Sequence, residues 1–370
     1  MEDSVEYSIE VNNLTKQYGR ITAIQDISFS LQKGEIVGFL GPNGAGKSTT
    51  MKILTGLITA NSGSAYICGI PVATHPEEIK RKIGYMPENN PLPTDMRVSE
   101  YLKFRGKLKG VSGRKLRKRI DYVLDLCDLT RARRRVIGGL SKGYRQRIGI
   151  AEAILSEPEV IIMDEPTIGL DPHQIIKIRE LIGTLRGRMS VIISSHILPE
   201  IELTCDRVII INRGYVVASG TPEELRQEFL PESAYHLEIT GSSEDLEPEI
   251  KFVSPQLAIL SNESFSSSDI NRVTLAGPSD RKVGEKLIKH LASLPNFKLR
   301  SLHCQEANLE DIFLAATRRS WEIREEDPDR LTAAPFRKPH EEEEPKADEE
   351  TPAEPEATES EDAPKEDEPA

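Results

Sequence analysis

Short apolar runs alternate with helical patterns over residues 9–229, which predicts strands that feed crossover helices. Residues 34–40 have the pattern of a strand. Residues 160–163 and 191–193 are unbroken apolar runs, as expected for strands that are buried on both faces of a parallel sheet. The pattern therefore predicts an α/β fold built around such a sheet.

Two further segments belong to the same pattern. Apolar residues three and four apart predict a helix over residues 48–57, with Leu57 on its apolar face. Residues 207–211 and 215–218 read as two strands that are joined by a glycine-bearing turn.

A different pattern begins at about residue 234. Alternation at residues 235–239 and 272–275 predicts strands, and helical spacing over residues 282–291 and 309–316 predicts helices. Residues 234–318 are therefore predicted to form a small α+β accessory domain, in which we recognise no catalytic or ligand-binding pattern.

Residues 99–129 are predicted to be mainly helical, and this part of the chain is basic. Residues 103–135 hold 13 Lys and Arg against three Asp, a balance of +10. Such a run is either a solvated helical face or an electrostatic docking surface, and the sequence leaves both interpretations open.

The acidic residues are concentrated at the other end of the chain. Residues 341–370 contain 15 Asp and Glu against two Lys, and no Val, Ile, Leu, Met or aromatic residue. Such a segment cannot bury enough apolar surface to offset its conformational entropy, so residues 325–370 are predicted to be a disordered acidic tail. The net charge of −12 comes from this tail. Attraction between the tail and the basic region is a further hypothesis.

Composition excludes several classes of protein. The longest apolar runs fall far short of the roughly 20 residues that a membrane-spanning helix needs, and we expect no secretory signal. The four cysteines are far apart in the sequence, which argues against a zinc site or a redox pair and predicts small buried thiols in a reducing compartment.

A phosphate-binding loop follows the strand at residues 34–40. Its sequence fits the pattern G-x4-G-K-[ST]. Glycines let the backbone approach phosphates, successive N–H groups form an anion cradle, the lysine reaches the β and γ oxygens, and the serine hydroxyl can ligate Mg²⁺. The predicted nucleotide-binding residues of the loop are Gly41, Pro42, Asn43, Gly44, Ala45, Gly46, Lys47 and Ser48, with Thr49 following.

Two carboxylates follow the apolar run at residues 160–163. Asp164 ends a predicted strand at the carboxyl edge of the sheet, where it can hold Mg²⁺ beside the phosphates. The adjacent Glu165 is then placed to polarise an attacking water as a catalytic base.

Four more segments make the pattern specific. Residues 140–147 read Leu-Ser-Lys-Gly-Tyr-Arg-Gln-Arg, Tyr18 lies in a Lys-Gln-Tyr-Gly segment, residues 169–172 read Gly-Leu-Asp-Pro, and residues 194–196 read Ser-Ser-His. With the phosphate-binding loop and the Asp-Glu pair, these segments resemble the signature motif, the adenine-stacking aromatic, the D-loop and the switch histidine of ABC-transporter ATPases. The resemblance covers residues 9–230 and implies a P-loop NTPase domain with a helical subdomain at about residues 88–150.

The resemblance also implies roles for these residues. In this family two such domains close head to tail around two ATP molecules, so Ser141 and Gly143 of one domain would contact the γ-phosphate held by Lys47 of the other. His196 would hydrogen-bond that phosphate or the attacking water, and Tyr18 would stack on adenine. Asp171 would bridge the dimer interface. Its residue type also fits the N-cap of a helix that begins at Pro172, and both interpretations stay open.

One position departs from the family pattern. Glu88 stands where the family usually has a glutamine that contacts Mg²⁺ and the attacking water. A carboxylate can ligate Mg²⁺, but an ionised carboxylate cannot donate a hydrogen bond.

The Leu-Ser-Lys-Gly-Tyr signature, Glu88 and the accessory domain are similar to the ATPase subunits of ABC-2-type exporters. This resemblance implies an ATP- and Mg²⁺-dependent ATPase that works as a dimer, expected to be of identical chains, on a separate membrane permease at the inner face of the cell membrane. It implies no nucleic-acid partner. Two alternatives are a soluble ABC ATPase that acts on ribosomes or nucleic acid, and a regulator that binds ATP but barely hydrolyses it.

Overall fold

The computed structural model describes residues 6–230, 232–240, 246–264, 270–278, 281–305 and 307–326. The acidic tail is predicted to be disordered, and its residues from 327 onward lie outside this described part. We call residues 6–230 the N-terminal region and residues 232–305 the C-terminal region.

The strands and helices follow one another along the described chain. The strands are β1 (Tyr7–Tyr18), β2 (Ile21–Gln32), β3 (Ile36–Leu40), β4 (Ser62–Ile67), β5 (Ile70–Pro71), β6 (Ile83–Met86), β7 (Val160–Asp164), β8 (Ser190–Ser195), β9 (Arg207–Asn212), β10 (Tyr215–Gly220), β11 (Glu232–Thr240), β12 (Ala258–Ser264), β13 (Ile270–Pro278) and β14 (Lys298–Gln305). The α-helices are α1 (Lys47–Leu54), α2 (Pro76–Lys82), α3 (Val98–Leu108), α4 (Gly113–Leu126), α5 (Lys142–Ile154), α6 (Pro172–Gly183), α7 (Leu198–Glu202), α8 (Pro222–Phe229), α9 (Leu246–Val253), α10 (Arg281–Ser293) and α11 (Leu309–Glu326).

A six-stranded sheet in the order β10-β9-β3-β8-β7-β6 forms the centre of the N-terminal region. Its strands pair in parallel, apart from the antiparallel pair of β9 and β10. Every residue of β3, β7 and β8 is buried, so the apolar runs do mark strands that are covered on both faces. The predicted strands of the N-terminal region and its α/β class are confirmed.

The helix after β3 is shorter than predicted. It ends at Leu54, and Leu57 is 58% exposed rather than on a buried face. Gly56 has a φ of +67°, a left-handed conformation that terminates helices and that glycine adopts without steric strain. The apolar spacing alone did not reveal this stop.

A second sheet, in the order β2-β1-β4-β5, lies beside the first. Its strands pair antiparallel, and Ile9 and Val11 of β1 share a buried apolar cluster with Phe39 of β3 and Met51 of α1. Helix α1 is therefore held by apolar contacts with both sheets, which fixes the loop that precedes it.

Helices α3 and α4 confirm the predicted helical segment. Leu116, Ile120 and Val123 of α4 recur at helical spacing and are buried, while Arg117 and Lys118 between them are exposed. In the described part of the chain we find no helix with both the length and the apolar character that crossing a bilayer requires.

The C-terminal region is a four-stranded antiparallel sheet in the order β12-β13-β11-β14, with α9 and α10 in its chain order β-α-β-β-α-β. Tyr235, Leu237 and Ile239 of β11 form one buried cluster with Leu287 and Leu291 of α10. The strands and the helix predicted at residues 235–239, 272–275 and 282–291 are confirmed.

Helix α11 does not belong to the core of the C-terminal region. Its residues Leu309, Ile312 and Ala316 are buried in the same cluster as Ile201 of α7 and Leu225 of α8. The chain thus returns to the N-terminal region after β14 and packs on the short helix that follows His196.

Candidate functional site

The phosphate-binding loop connects β3 to α1 and depends on one glycine above the others. Gly46 has a φ of +110°, and a Cβ atom there would lie 2.6 Å from Ile24 Cγ2 and 2.7 Å from the carbonyl oxygen of Ala23. Gly44 also has a positive φ, +81°, but a Cβ atom there would meet nothing within 4 Å. The loop is therefore closely packed at Gly46, where α1 begins, and open at Gly44. Its N–H groups at the start of the helix form a cradle for an anion.

Lys47 is buried with its ammonium group turned toward the loop. Its Nζ donates to the carbonyl oxygen of Gly41 at 2.7 Å and to that of Pro42 at 3.3 Å, and it lies 3.3 Å from Glu165 Oε1. The side chains of Lys47 and Glu165 are each 5% exposed. A buried charge of this kind needs a partner of opposite sign, so the two side chains depend on each other.

Asp164 at the end of β7 accepts hydrogen bonds from two hydroxyls. Ser48 Oγ donates to Asp164 Oδ1 at 3.3 Å, and Ser194 Oγ of β8 donates to the same oxygen. Asp164 is 2% exposed. Burial of Tyr85 on the neighbouring strand β6 raises the pKa of that side chain to about 12, and the negative charge of Asp164 adds to the shift.

Glu165 sits on strained backbone directly after β7. Its φ is +50°, a left-handed conformation that costs about 1–3 kcal/mol in a residue other than glycine. Its N–H group donates to Ser194 Oγ at 3.1 Å, and its Oε2 lies 2.9 Å from Nδ1 of His196. The strained turn thus directs the carboxylate toward both Lys47 and His196.

Parallel strand order explains why these residues meet. In β7 and β8, Asp164 is the register partner of Ser194, and β3 pairs with β8 on its other side. The carboxyl ends of parallel strands lie at one edge of the sheet, which is where ligands bind in open α/β folds. The structure therefore brings together the predicted residues Lys47, Ser48, Asp164, Glu165 and His196.

Other predicted residues lie around this cluster. Asn43 is exposed, Ala45 is buried, and Thr49 is half-buried on α1. Tyr18 is 48% exposed, with Lys16 Nζ 5.3 Å from its ring centroid. Glu88 is exposed beyond the end of β6, and the pairing of Met86 with Met163 places this strand end beside that of β7.

The predicted signature and D-loop residues cap two helices. Ser141 Oγ accepts from Tyr144 N at 3.5 Å at the start of α5, and Asp171 Oδ1 accepts from Gln174 N at 3.0 Å at the start of α6. The N-cap interpretation of Asp171 is confirmed. Gly143 is buried and packs so closely on Gln174 that a Cβ atom on Gly143 would overlap the Gln174 side-chain oxygen.

Sequence reasoning missed three residues near the cluster. Ser194 bonds both Asp164 and Glu165, and its only sequence signal is a hydroxyl at the end of a buried strand. Thr167 Oγ1 donates to Glu200 of α7, which ties the loop after Glu165 to the helix after His196. Burial raises the pKa of the Glu200 carboxyl, and the charge of Glu165 raises it further, although the Thr167 hydrogen bond opposes the shift.

The donor set fits a nucleotide with a divalent cation. The Ser48 hydroxyl and the Asp164 carboxylate converge beside the anion cradle, which is the oxygen pair that Mg²⁺ uses together with substrate phosphates. Among the described residues there is no group of three or more His, Cys, Asp and Glu side chains that could hold a metal ion by itself. A cation here would therefore need oxygens from the nucleotide.

Comparisons with known proteins identify the family of the chain. The family model described as ABC transporter matches residues 24–168. The linearmycin resistance ATP-binding protein LnrL of Bacillus subtilis (strain 168) is 34% identical over 313 residues, which cover 84% of this chain and 99% of the relative. The Nod factor export ATP-binding protein I of Ralstonia nicotianae is 32% identical over 312 residues, or 84% of this chain and 94% of the relative.

Solved structures show the same fold. A dimeric bacterial ABC transporter cassette, MJ0796, is 28% identical, covers 58% of this chain and 98% of its own, and superposes with a TM-score of 0.54. The same cassette in a post-hydrolysis state bound to ADP and Pi superposes with a TM-score of 0.53 over the same shares of both chains. The chain belongs to the ABC transporter family as one of its ATP-binding proteins, and it is an ATPase.

Proposed function

We propose that this chain hydrolyses ATP at the cluster of Lys47, Ser48, Asp164, Glu165 and His196, and that it thereby drives a separate export permease of the ABC-2 type. One observation carries the hydrolytic assignment. The side chains of Glu165 and Lys47 lie 3.3 Å apart and 95% buried at the phosphate-binding loop, with His196 2.9 Å from the same carboxylate. Buried charged groups that are held in fixed positions can stabilise the charge that develops during phosphoryl transfer.

Each residue has a distinct task in this proposal. Lys47 neutralises phosphate charge, since its ammonium group already lies within the loop that would hold the phosphates. Glu165 accepts a proton from the attacking water, and His196 Nδ1 orients that carboxylate. The Ser194 hydroxyl donates to the Asp164 carboxylate and accepts from the N–H group of Glu165. We therefore assign Ser194 as a positioning residue.

Mg²⁺ is the cation that this site would use. Ser48 and Asp164 would hold it, with Glu88 as a further oxygen ligand at the neighbouring strand end. When bound, Mg²⁺ supplies positive charge that offsets the charge on the phosphates. The carboxylate at Glu88 adds a negative charge where the family has a neutral amide.

A second copy of the chain would complete the site. Ser141 and Gly143 lie at the first turn of α5, where N–H groups face outward, and Ser141 is exposed. We propose that these groups contact the γ-phosphate held by the partner and that Asp171 lies at the same interface. Tyr18, half-exposed at the end of β1, would stack on adenine.

The partner and the location are inferred from relatives. Two relatives that match over 99% and 94% of their own length carry names that describe linearmycin resistance and Nod factor export. We infer that this chain is peripheral on the inner face of the cell membrane, bound through its permease. Recovery of an integral membrane protein with the purified chain from detergent extracts supports this partner. Recovery of ribosomes or nucleic acid instead contradicts it.

Turnover by Glu165→Gln tests the hydrolytic assignment. Removal of the base should lower the rate of ATP hydrolysis by about 10²-fold or more while ATP binding persists. Glu78→Gln, at an exposed carboxylate of α2, is the matched control and should leave the rate unchanged. Equal rates in the wild type and Glu165→Gln would refute the role of Glu165. Equal rates would favour either a different catalytic base or a chain that binds ATP and barely hydrolyses it.

A further inference from the structure

Two segments of this chain that are proposed to reach the nucleotide of a second copy lie against each other. We call residues 141–144 the signature segment and residues 169–174 the D-loop segment, and they lead into helices α5 and α6. The ammonium group of Lys142 lies so close to Gly169 that a Cβ atom on Gly169 would clash with it. Lys142 is exposed, and a long exposed side chain keeps much of its rotamer freedom. This contact therefore does not by itself fix how the two segments lie.

Gln174 makes a second contact between the segments. Its N–H group donates to Asp171 Oδ1 at 3.0 Å, and its side-chain Nε2 donates to Asp171 Oδ2, so one residue binds both oxygens of this exposed carboxylate. Its side-chain oxygen lies against Gly143, close enough that a Cβ atom on Gly143 would overlap it. The amide of Gln174 thus connects the carboxylate of the D-loop segment with the glycine of the signature segment.

The side-chain oxygen of Gln174 is buried and has no hydrogen-bond donor among the residues that the structure describes. An unpaired buried carbonyl oxygen is unfavourable, and a methionine of similar length would fill the same space without this penalty. If the amide were turned over, its oxygen would face the Asp171 carboxylate, which has no proton to donate when it is ionised. The unpaired oxygen is therefore a consequence of the bond to Asp171, and that bond is what the glutamine supplies.

Gln174 does not cap α6 in the way that a glutamine at this position usually caps a helix. In the capping box, the side chain three residues after the N-cap accepts from the N–H group of the N-cap residue. Helix α8 has this arrangement, because Glu224 Oε2 accepts from Thr221 N at 2.8 Å. In α6 the corresponding oxygen, that of Gln174, accepts no such bond and lies against Gly143 instead. The side chain therefore has a task other than capping.

We propose that Gln174 is a positioning residue for ATP hydrolysis. It holds the Asp171 carboxylate and Gly143 at a fixed separation, so that both reach the nucleotide of the second copy together. This inference rests on the proposed function, in which the nucleotide lies between two copies. Within the described residues, the side chain of Gln174 donates only to Asp171, so its replacement should leave the phosphate-binding loop of its own chain intact.

Sedimentation of Gln174 variants in the Glu165→Gln background, with ATP and Mg²⁺, tests this inference. Gln174→Ala removes the bond and the contact. Gln174→Glu keeps the length of the side chain and suits the first turn of a helix, but it places a second negative charge against Asp171. A misplacement of about 1 Å can lower a rate by about 10²-fold, so we expect a smaller shift to raise the protein concentration for half-maximal dimer formation by about tenfold in each variant.

Two further measurements separate positioning from damage to the fold. In chains that retain Glu165, each Gln174 variant should lower kcat by about tenfold. The affinity for a fluorescent ADP analogue, which reports on the phosphate-binding loop of the same chain, should stay within about twofold of the wild type. Glu224→Ala is the matched control, because it removes a side chain at the same position of α8. It should lower thermal stability slightly and leave the ATP-dependent dimer unchanged.

Three results would overturn the role of Gln174. They are unchanged dimer formation and kcat in both variants, an equal effect of Glu224→Ala on the dimer, and loss of ADP binding in Gln174→Ala and Gln174→Glu. A Glu165→Gln parent that stays monomeric with ATP would refute the two-copy site together with this inference. If the parent dimerises and the Gln174 variants dimerise equally well, the inference alone fails and the two-copy site stands.

Discussion

The central sheets of the N-terminal and C-terminal regions differ in how deeply their polar side chains are buried. Strands β7 and β8 are buried on both faces, so the charges at their ends lie away from water and must satisfy one another, as Glu165 does with Lys47. On β11 burial alternates, and His236 lies on the less covered face, where it bonds Thr274 and Gln305. Water screens such a network. We therefore expect catalytic power to follow from the burial of paired charges at strand ends, and not from the presence of a polar network.

The largest difference should appear when one histidine of each region is replaced. His196→Ala removes the group that orients Glu165 and should lower kcat for ATP by about 10²-fold with a smaller change in KM. His236→Ala removes a network of similar size from the C-terminal sheet and should leave kcat within about twofold. Steady-state turnover of both variants makes the comparison, and a similar loss in both would show that burial is not the deciding property.

The C-terminal core should affect stability without affecting turnover. Leu287→Ala removes a fully buried side chain of α10 and should lower the free energy of unfolding of this region by about 2–5 kcal/mol. Ile288→Ala, at a neighbouring side chain that is 45% exposed, should cost much less. Hydrogen exchange of the C-terminal region measures both. A parallel loss of ATP turnover in Leu287→Ala would mean that the two regions are coupled more tightly than the described contacts imply.

The phosphate-binding loop should respond to a methyl group at one glycine far more than at the other. Gly46→Ala combines backbone strain with a clash against Ile24 and the carbonyl of Ala23, and should cost about 2–3 kcal/mol together with most of the nucleotide affinity. Gly44→Ala meets open space and should cost about 1 kcal/mol from strain alone. Thermal unfolding and titration with a fluorescent nucleotide distinguish the two, and equal costs would contradict the packing described at Gly46.

The smallest expected effect concerns the buried carboxyl of Glu200. Because burial raises its pKa on folding, its contribution to stability is complete at low pH and is lost as pH rises from its ordinary value of 4.5 through the raised value. Glu200→Gln keeps an acceptor for Thr167 and removes this loss. The variant should therefore be slightly more stable than the wild type near pH 7 and not near pH 4. Denaturant unfolding at both pH values checks this sign, and a variant that is less stable at pH 7 would contradict it.

Sequence patterns predicted the strands that consist of an unbroken run of apolar residues. An unbroken apolar run marks β7 regardless of its neighbours, and the phosphate-binding loop follows from residue spacing alone. Strand β14 was not predicted, because its alternation becomes meaningful only when it pairs with β11. The packing of α11 on the N-terminal region was likewise missed, since its apolar face fits either core.

The residues of the site also fall into a group that local sequence patterns predicted and a group that they did not. Lys47, Ser48, Asp164 and Glu165 were predicted because each lies within a short local pattern. Ser194 acquires its importance from the register that places it opposite Asp164, and Glu200 from the contact of helix α7 with the loop after Glu165. Such properties arise from pairing between distant segments, so a local pattern does not reveal them.

Sedimentation of the Glu165→Gln variant with and without ATP and Mg²⁺ tests most directly whether two copies bind nucleotide between them. With hydrolysis blocked, the account predicts a dimer at micromolar protein when ATP is present, a monomer with ADP or without nucleotide, and loss of the dimer in the additional variant Ser141→Arg. A variant that binds ATP and yet sediments as a monomer at every protein concentration would contradict the account.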